Sequence, residues 1–181
     1  MTTSPSPDLE LAERCVSGDK DAFTLLVRRH KKEILAFVAK YSVSLHEADD
    51  LGQEVFLKAY QGIGSFAGRS SLRTWLYRIA TNVCLDHLRK RRRTPLHVTS
   101  GEGSLEEISG PEAPPELRLM VNALLDQLQP LDRLIVTLVH VEGFSVKETA
   151  GLCGLSSVNV RVRAHRARNR LKSLMEEHDG Q

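Results

Sequence analysis

One spacing constrains this chain more than any other. A small residue, Ala150, is followed four positions later by Gly154 and six positions after that by the branched Val160. This suits two helices that cross at a tight turn. The small residue lets them approach, the glycine supplies the positive φ of the turn, and the valine points back to the core. Ser145 stands where the first helix needs a cap, with Glu148 three residues on as a capping box. Leu155 is placed to plug the turn, and Ser156 or Ser157 to cap the second helix. The spacing is that of a helix-turn-helix, whose second helix can lie in a DNA major groove.

That second helix is strongly sided. Val160, Ala164, Ala167, Leu171 and Leu174 fall on one face, and Val162, His165, Arg166 and Asn169 on the other. Arg161 with Arg168, and Arg163 with Arg170, flank the outer face. From Ser157 to Lys172 there are six Lys or Arg residues and no acid. The face would meet base edges and the flanks phosphates, and binding would then be salt-dependent. A basic helix alone is equally well a solvated face. The register of Ala150, Gly154 and Val160 is what favours DNA.

The rest of the chain is also helical in pattern. Its 181 residues fit one ordinary domain or two small ones, and an apolar fraction of 41% suffices for folded cores. Asp19 is a candidate N-cap after Gly18, followed at helical spacing by Phe23, Leu26, Val27, His30, Ile34, Phe37, Val38 and Tyr41. A second helix is predicted from about Leu45 to Gln61, with Ala48, Leu51, Val55, Phe56 and Ala59 inward. Gly62, Gly64 and Gly68 interrupt the pattern. A third helix then starts near Ser70 or Ser71, with Leu72, Trp75, Leu76, Ile79, Val83 and Leu88 inside. From Thr94 to Pro115 the chain carries four prolines, four glutamates (Glu102, Glu106, Glu107, Glu112) and no Lys or Arg. It has no period and reads as a flexible acidic linker. Helical pattern resumes at about Glu116, and Pro130 suits the first position of a further helix. The expected fold is all-α: a helical domain over 1–93, a linker over 94–115 and a helix-turn-helix domain over 116–181.

Two charged clusters mark the N-terminal half. Arg69, Arg73, Arg78 and the run Arg89 to Arg93 are opposed only by Asp86, and they bracket Trp75 with Phe66 and Tyr77 nearby. Aromatics amid positive charge suit unstacked bases of single-stranded nucleic acid. Taken alone, Trp75 reads more readily as core, and the arginine run as a solvated helix end or a targeting or generic polyanion patch. The helix between has an acidic outer face of His46, Glu47, Asp49, Asp50, Gln53 and Glu54. Such a face would repel DNA but suits a basic protein surface, or simply water.

Other classes find little support. Cys15, Cys84 and Cys153 stand singly, which suits a reducing cytoplasm rather than a disulfide framework. Cys84 and Cys153 read as structural thiols, with redox sensitivity the alternative. No run approaches the ~20 apolar residues of a membrane span, and the N-terminus has no signal-like pattern. No HExxH, Gly-rich phosphate loop or nucleophile–base set is present. We therefore expect no catalytic residue, metal, cofactor, small-molecule substrate or membrane insertion.

Together the pieces resemble the extracytoplasmic-function group of the sigma-70 family, from about Leu9 to Met175 without the linker. EADDLGQEVFLKAY (Glu47 to Tyr60) resembles its polymerase-binding segment. FAGRSSLRTWLYRIATNVCLDHLRKRRR (Phe66 to Arg93) resembles its promoter-melting segment. LQPLDRLIVTLVHVEGFSVKETAGLCGLSSVNVRVRAHRARNRL (Leu128 to Leu171) resembles its promoter-reading domain. The resemblance implies a sigma factor that binds RNA polymerase core, through its β′ and β subunits, and directs initiation at promoter DNA. It implies that Asp49, Asp50, Gln53 and Glu54 dock on the β′ clamp helices. It implies −10 recognition by Phe66, Arg69, Ser70, Arg73, Trp75 and Asn82, with the loop Ser65 to Ser71 capturing a base. It implies that Val162, His165 and Arg166 face −35 bases, with Arg161, Arg163 and Arg168 near phosphates. The linker would pass near the RNA exit channel, and an anti-sigma factor would hold the protein inactive. Gly52 departs from the family, which usually has an apolar residue there, and Asn159 and Val162 replace a more usual Thr and small polar residue. The last two bear on the −35 sequence rather than on the function. A plain helix-turn-helix repressor would need neither the acidic face nor the Trp-bearing basic segment.

Overall fold

The computed structural model describes residues 7–93 and 115–179. Every regular element among them is helical: α1 (Pro7–Val16), α2 (Lys20–Ala39), α3 (Leu45–Gly62), a 3-10 turn (Ile63–Ser65), α4 (Leu72–Arg93), α5 (Pro115–Asp126), α6 (Pro130–His140), α7 (Val146–Cys153) and α8 (Ser157–Asp179). They gather into two compact units, one on residues 7–84 and one on 85–93 with 115–179. The acidic linker expected over 94–115 lies outside the described residues, apart from Pro115, which opens α5.

In the first unit α2 is the central strut. Asp19 caps it, accepting from the Ala22 amide at 2.9 Å, and Arg14 pairs with the same carboxylate at 2.7 Å. Leu26, Ile34, Phe37 and Val38 are fully buried along its inner face, each worth roughly 1.5–3 kcal/mol of hydrophobic stabilisation. The Phe37 ring lies 5.3 Å from that of Tyr41 and 5.0 Å from that of Tyr77, tying α2 to α4. Ser44 caps α3 by accepting from the Glu47 amide at 3.2 Å. Ala48, Leu51, Gly52, Val55 and Ala59 are its buried face. Phe56, expected inward, is only half-buried, as are Phe23 and Val27.

Gly52 has a packing reason. A Cβ built there would lie 2.5 Å from Leu35 Cδ2 of α2, so the half-buried Leu35 side chain would have to shift to admit one. The helix propensity lost at Gly52 is exchanged for that close contact.

The second unit follows the predicted motif closely. Pro130 opens α6. The capping box of α7 is complete: the Ser145 hydroxyl accepts from the Glu148 amide at 3.2 Å, and the Glu148 carboxylate accepts from the Ser145 amide at 2.9 Å. Gly154 ends α7 in the left-handed conformation (φ 66°, ψ 35°), its N–H donating to the Ala150 carbonyl. Ile135, Ala150 and Val160 are buried together, with Leu155, Cys153 and Ala164 packed against them. Leu128, Val136 and Ala167 form a second cluster, joined by Leu125 and Leu171. Val121 of α5 is exposed.

Candidate nucleic-acid interface

Three surfaces carry the residues singled out from the sequence. On α8 the inward face buries Val160, Ala167 and Leu174. Arg161, Val162, His165, Arg166, Arg168 and Asn169 are exposed on the outer side, with Val162 at 41%. Val158, one turn before Val162, is also exposed and extends the apolar start of this face. Arg163 differs from its neighbours. It is half-buried and donates to the Asp132 carboxylate of α6 at 2.7 Å, so it braces the helix in this structure. Asn169 Nδ2 lies 3.1 Å from His165 Nε2. The i, i+4 spacing held that pair in plain sight.

The second surface surrounds the start of α4. Gly68 (φ 65°) turns the chain between the 3-10 turn and α4. Ser71 caps α4, accepting from the Thr74 amide at 3.0 Å. Phe66 and Trp75 meet edge to face with ring centroids 5.5 Å apart, and both are half-buried, between the core and open-pocket expectations for Trp75. Arg69, Ser70 and Asn82 are exposed. Arg73 is turned toward α2. Its Nε donates to Glu33 at 3.1 Å and its guanidinium lies 4.5 Å from the centroid of the Tyr77 ring.

Glu33 is the hub of that arrangement. His30, itself buried, places Nδ1 2.6 Å from the other carboxylate oxygen. Partial burial alone would push the Glu33 carboxyl up, but the hydrogen bonds from His30 and Arg73 outweigh it and hold the group below its ordinary value. This hub was not predicted, because Glu33 and Arg73 are distant in sequence and share no motif.

The third surface is the outer side of α3, where Asp49, Asp50, Gln53 and Glu54 are all exposed. Glu54 pairs with Lys58 at 3.1 Å, and Asp50 lies 3.6 Å from His46 Nε2. Leu57, one turn beyond Gln53 and Glu54, is 57% exposed and adds an apolar edge. Its spacing from Gln53 was the available signal. The basic run Arg89 to Arg93 forms the last turns of α4, where cations also favour the helix C-terminus.

Cys15 and Cys84 are buried and Cys153 is half-buried. Burial pushes the Cys153 thiol up to about 11 and also raises that of Cys15, and Cys84 is fully buried. No group of three or more His, Cys, Asp or Glu is placed to hold a metal among the described residues. None of the described helices is long and apolar enough to cross a membrane.

The model of Sigma-70 region 2 matches residues 26–94, and that of Sigma-70, region 4 matches residues 118–171. The chain belongs to the sigma-70 family. Among its relatives, an ECF RNA polymerase sigma-E factor of Escherichia coli is 37% identical over 174 residues, covering 89% of this chain and 90% of its own. An RNA polymerase sigma-H factor of Pseudomonas aeruginosa is 35% identical over 181 residues, covering 93% and 94%. In fold it is similar to the sigma factor RpoE of Bartonella quintana, solved with the anti-sigma factor NepR. The TM-score is 0.68 at 26% identity, over 85% of this chain and 96% of that one. The protein is thus an ECF-type sigma factor: it binds RNA polymerase core and directs promoter-specific initiation. Region 2 of this sigma factor contains the α3 and α4 surfaces, and region 4 contains nearly all of the basic part of α8.

Proposed function

We propose a division of labour among the three surfaces of this sigma factor. Residues 1–93 form a core-binding and promoter-melting domain, 94–115 a tether, and 116–181 the −35-reading domain. Asp49, Asp50, Gln53 and Glu54 dock on the β′ clamp helices, with Leu57 as an apolar contact beside them. Phe66, Arg69, Ser70, Trp75 and Asn82 engage the melted −10 strand, where the Phe66–Trp75 pair offers a stacking surface. Arg73 joins them only by leaving Glu33. Val162, His165 and Arg166 meet −35 bases, and Arg161 and Arg168 meet phosphates. Arg163 reaches a phosphate only by leaving Asp132. The chain acts by binding, without catalytic residues of its own, in the cytoplasm where polymerase is found. An anti-sigma factor partner is supported by the complex in which the Bartonella relative was solved.

The observation that carries this reading is the exposed, basic outer face of α8, which follows α7 through the left-handed Gly154 turn. The test is in vitro transcription with core enzyme on a genomic template, with and without the protein. Transcripts that depend on it are expected. Their absence from every promoter would sink the reading, and a footprint by the free chain would then favour a repressor.

A further inference from the structure

We propose that Asn169 is a positioning residue that sets what His165 reads in the −35 element. The inference rests on the assignment of α8 to that element. Asn169 and His165 lie one turn apart on the exposed face of α8, with the amide Nδ2 3.1 Å from the imidazole Nε2. An amide nitrogen donates and does not accept. With the amide in this orientation Nε2 is the acceptor, which places the proton of a neutral ring on Nδ1. With Nε2 engaged, the ring nitrogen left for DNA is the Nδ1–H donor.

Neither of the other two residues on that face can do this. Val162 is apolar, and Arg166, the next residue in sequence, does not face His165 on a helix and belongs to the reading set itself. Guanine presents N7 and O6 acceptors in the major groove, whereas cytosine presents an N4 amino donor. A ring held as a donor thus selects guanine against cytosine at the base it meets. Freed of Asn169, the ring can turn and present either a donor or an acceptor, and the selection collapses. His165 contributes the contact, and Asn169 decides its sign.

The test uses holoenzyme assembled from polymerase core and the full chain, on promoters bearing each of the four base pairs at every −35 position. Asn169→Ala is expected to cut the guanine-over-cytosine preference at one position by about two- to tenfold, the value of one net hydrogen bond. The preference set by Arg166 at its own position is expected to stay. Asn169→Gln keeps an amide donor on the same turn and is expected to recover part of the loss. In a His165→Ala background, Asn169→Ala is expected to change the preference no further. An unchanged preference in Asn169→Ala, an equal loss on all promoters, or a loss that persists without His165 would each overturn the proposal. A wild-type holoenzyme with no −35 preference at all would instead overturn the assignment of α8, and this inference with it.

Discussion

Gly154 and Gly52 are glycines for different reasons, and substitution separates them. At Gly154 a Cβ meets nothing within 4 Å, so the penalty is purely that of a positive φ. Gly154→Ala should cost about 1–2 kcal/mol in denaturant unfolding, and Gly154→Asn less, because Asn tolerates the left-handed region. At Gly52 the backbone is ordinary helix and the obstacle is Leu35. Gly52→Leu, the kind of residue usual in the family, should destabilise by about 1–3 kcal/mol through overpacking. Pairing it with Leu35→Ala should recover part of that loss. Glu33 adds a pH dependence. Its carboxyl, like that of Asp19 with its bonds from the Ala22 amide and Arg14, is held below its ordinary value in the folded state. A depressed carboxyl stabilises above its unfolded value and loses that contribution as pH falls through the folded value. The midpoint of thermal unfolding should therefore fall below about pH 4.5, and Glu33→Gln should flatten part of that limb.

At the scale of one element, α8 separates cations that share a sequence pattern. Arg166→Ala should relax preference at a single −35 position by about 1–3 kcal/mol, read in holoenzyme binding to a promoter panel. An equal loss on all sequences would make Arg166 a phosphate contact. Arg161→Ala and Arg168→Ala should weaken binding on all sequences and reduce the salt slope by about one each. Arg163→Ala should instead lower stability by roughly 0.5 kcal/mol, the value of a part-exposed ion pair. It should leave the salt slope nearly unchanged if Asp132 retains Arg163 on DNA. Heptad-like spacing predicted which face of α8 is buried, but it treated Arg161, Arg163 and Arg168 as equivalents. An acid on another helix distinguishes them, and no local pattern reports that acid.

For the whole molecule, the helical class, every α-helix but α1, the two-part division and the helix-turn-helix were legible in the chain. Each is written in short-range signals: apolar residues every three or four positions, caps such as Asp19 and Ser145, and a glycine where φ must be positive. These act between near neighbours, so the sequence by itself determines them. The candidate surfaces were legible to the same extent, because charge and exposure alternate with the helical period. What only the tertiary structure decided is which of those side chains are already engaged. Glu33 and Arg73 are 40 residues apart, and Asp132 and Arg163 are 31 apart. Leu35 confronts Gly52 across a helix crossing. Such pairings depend on how helices pack, and packing geometry is a property of the assembled core rather than of any window of the chain.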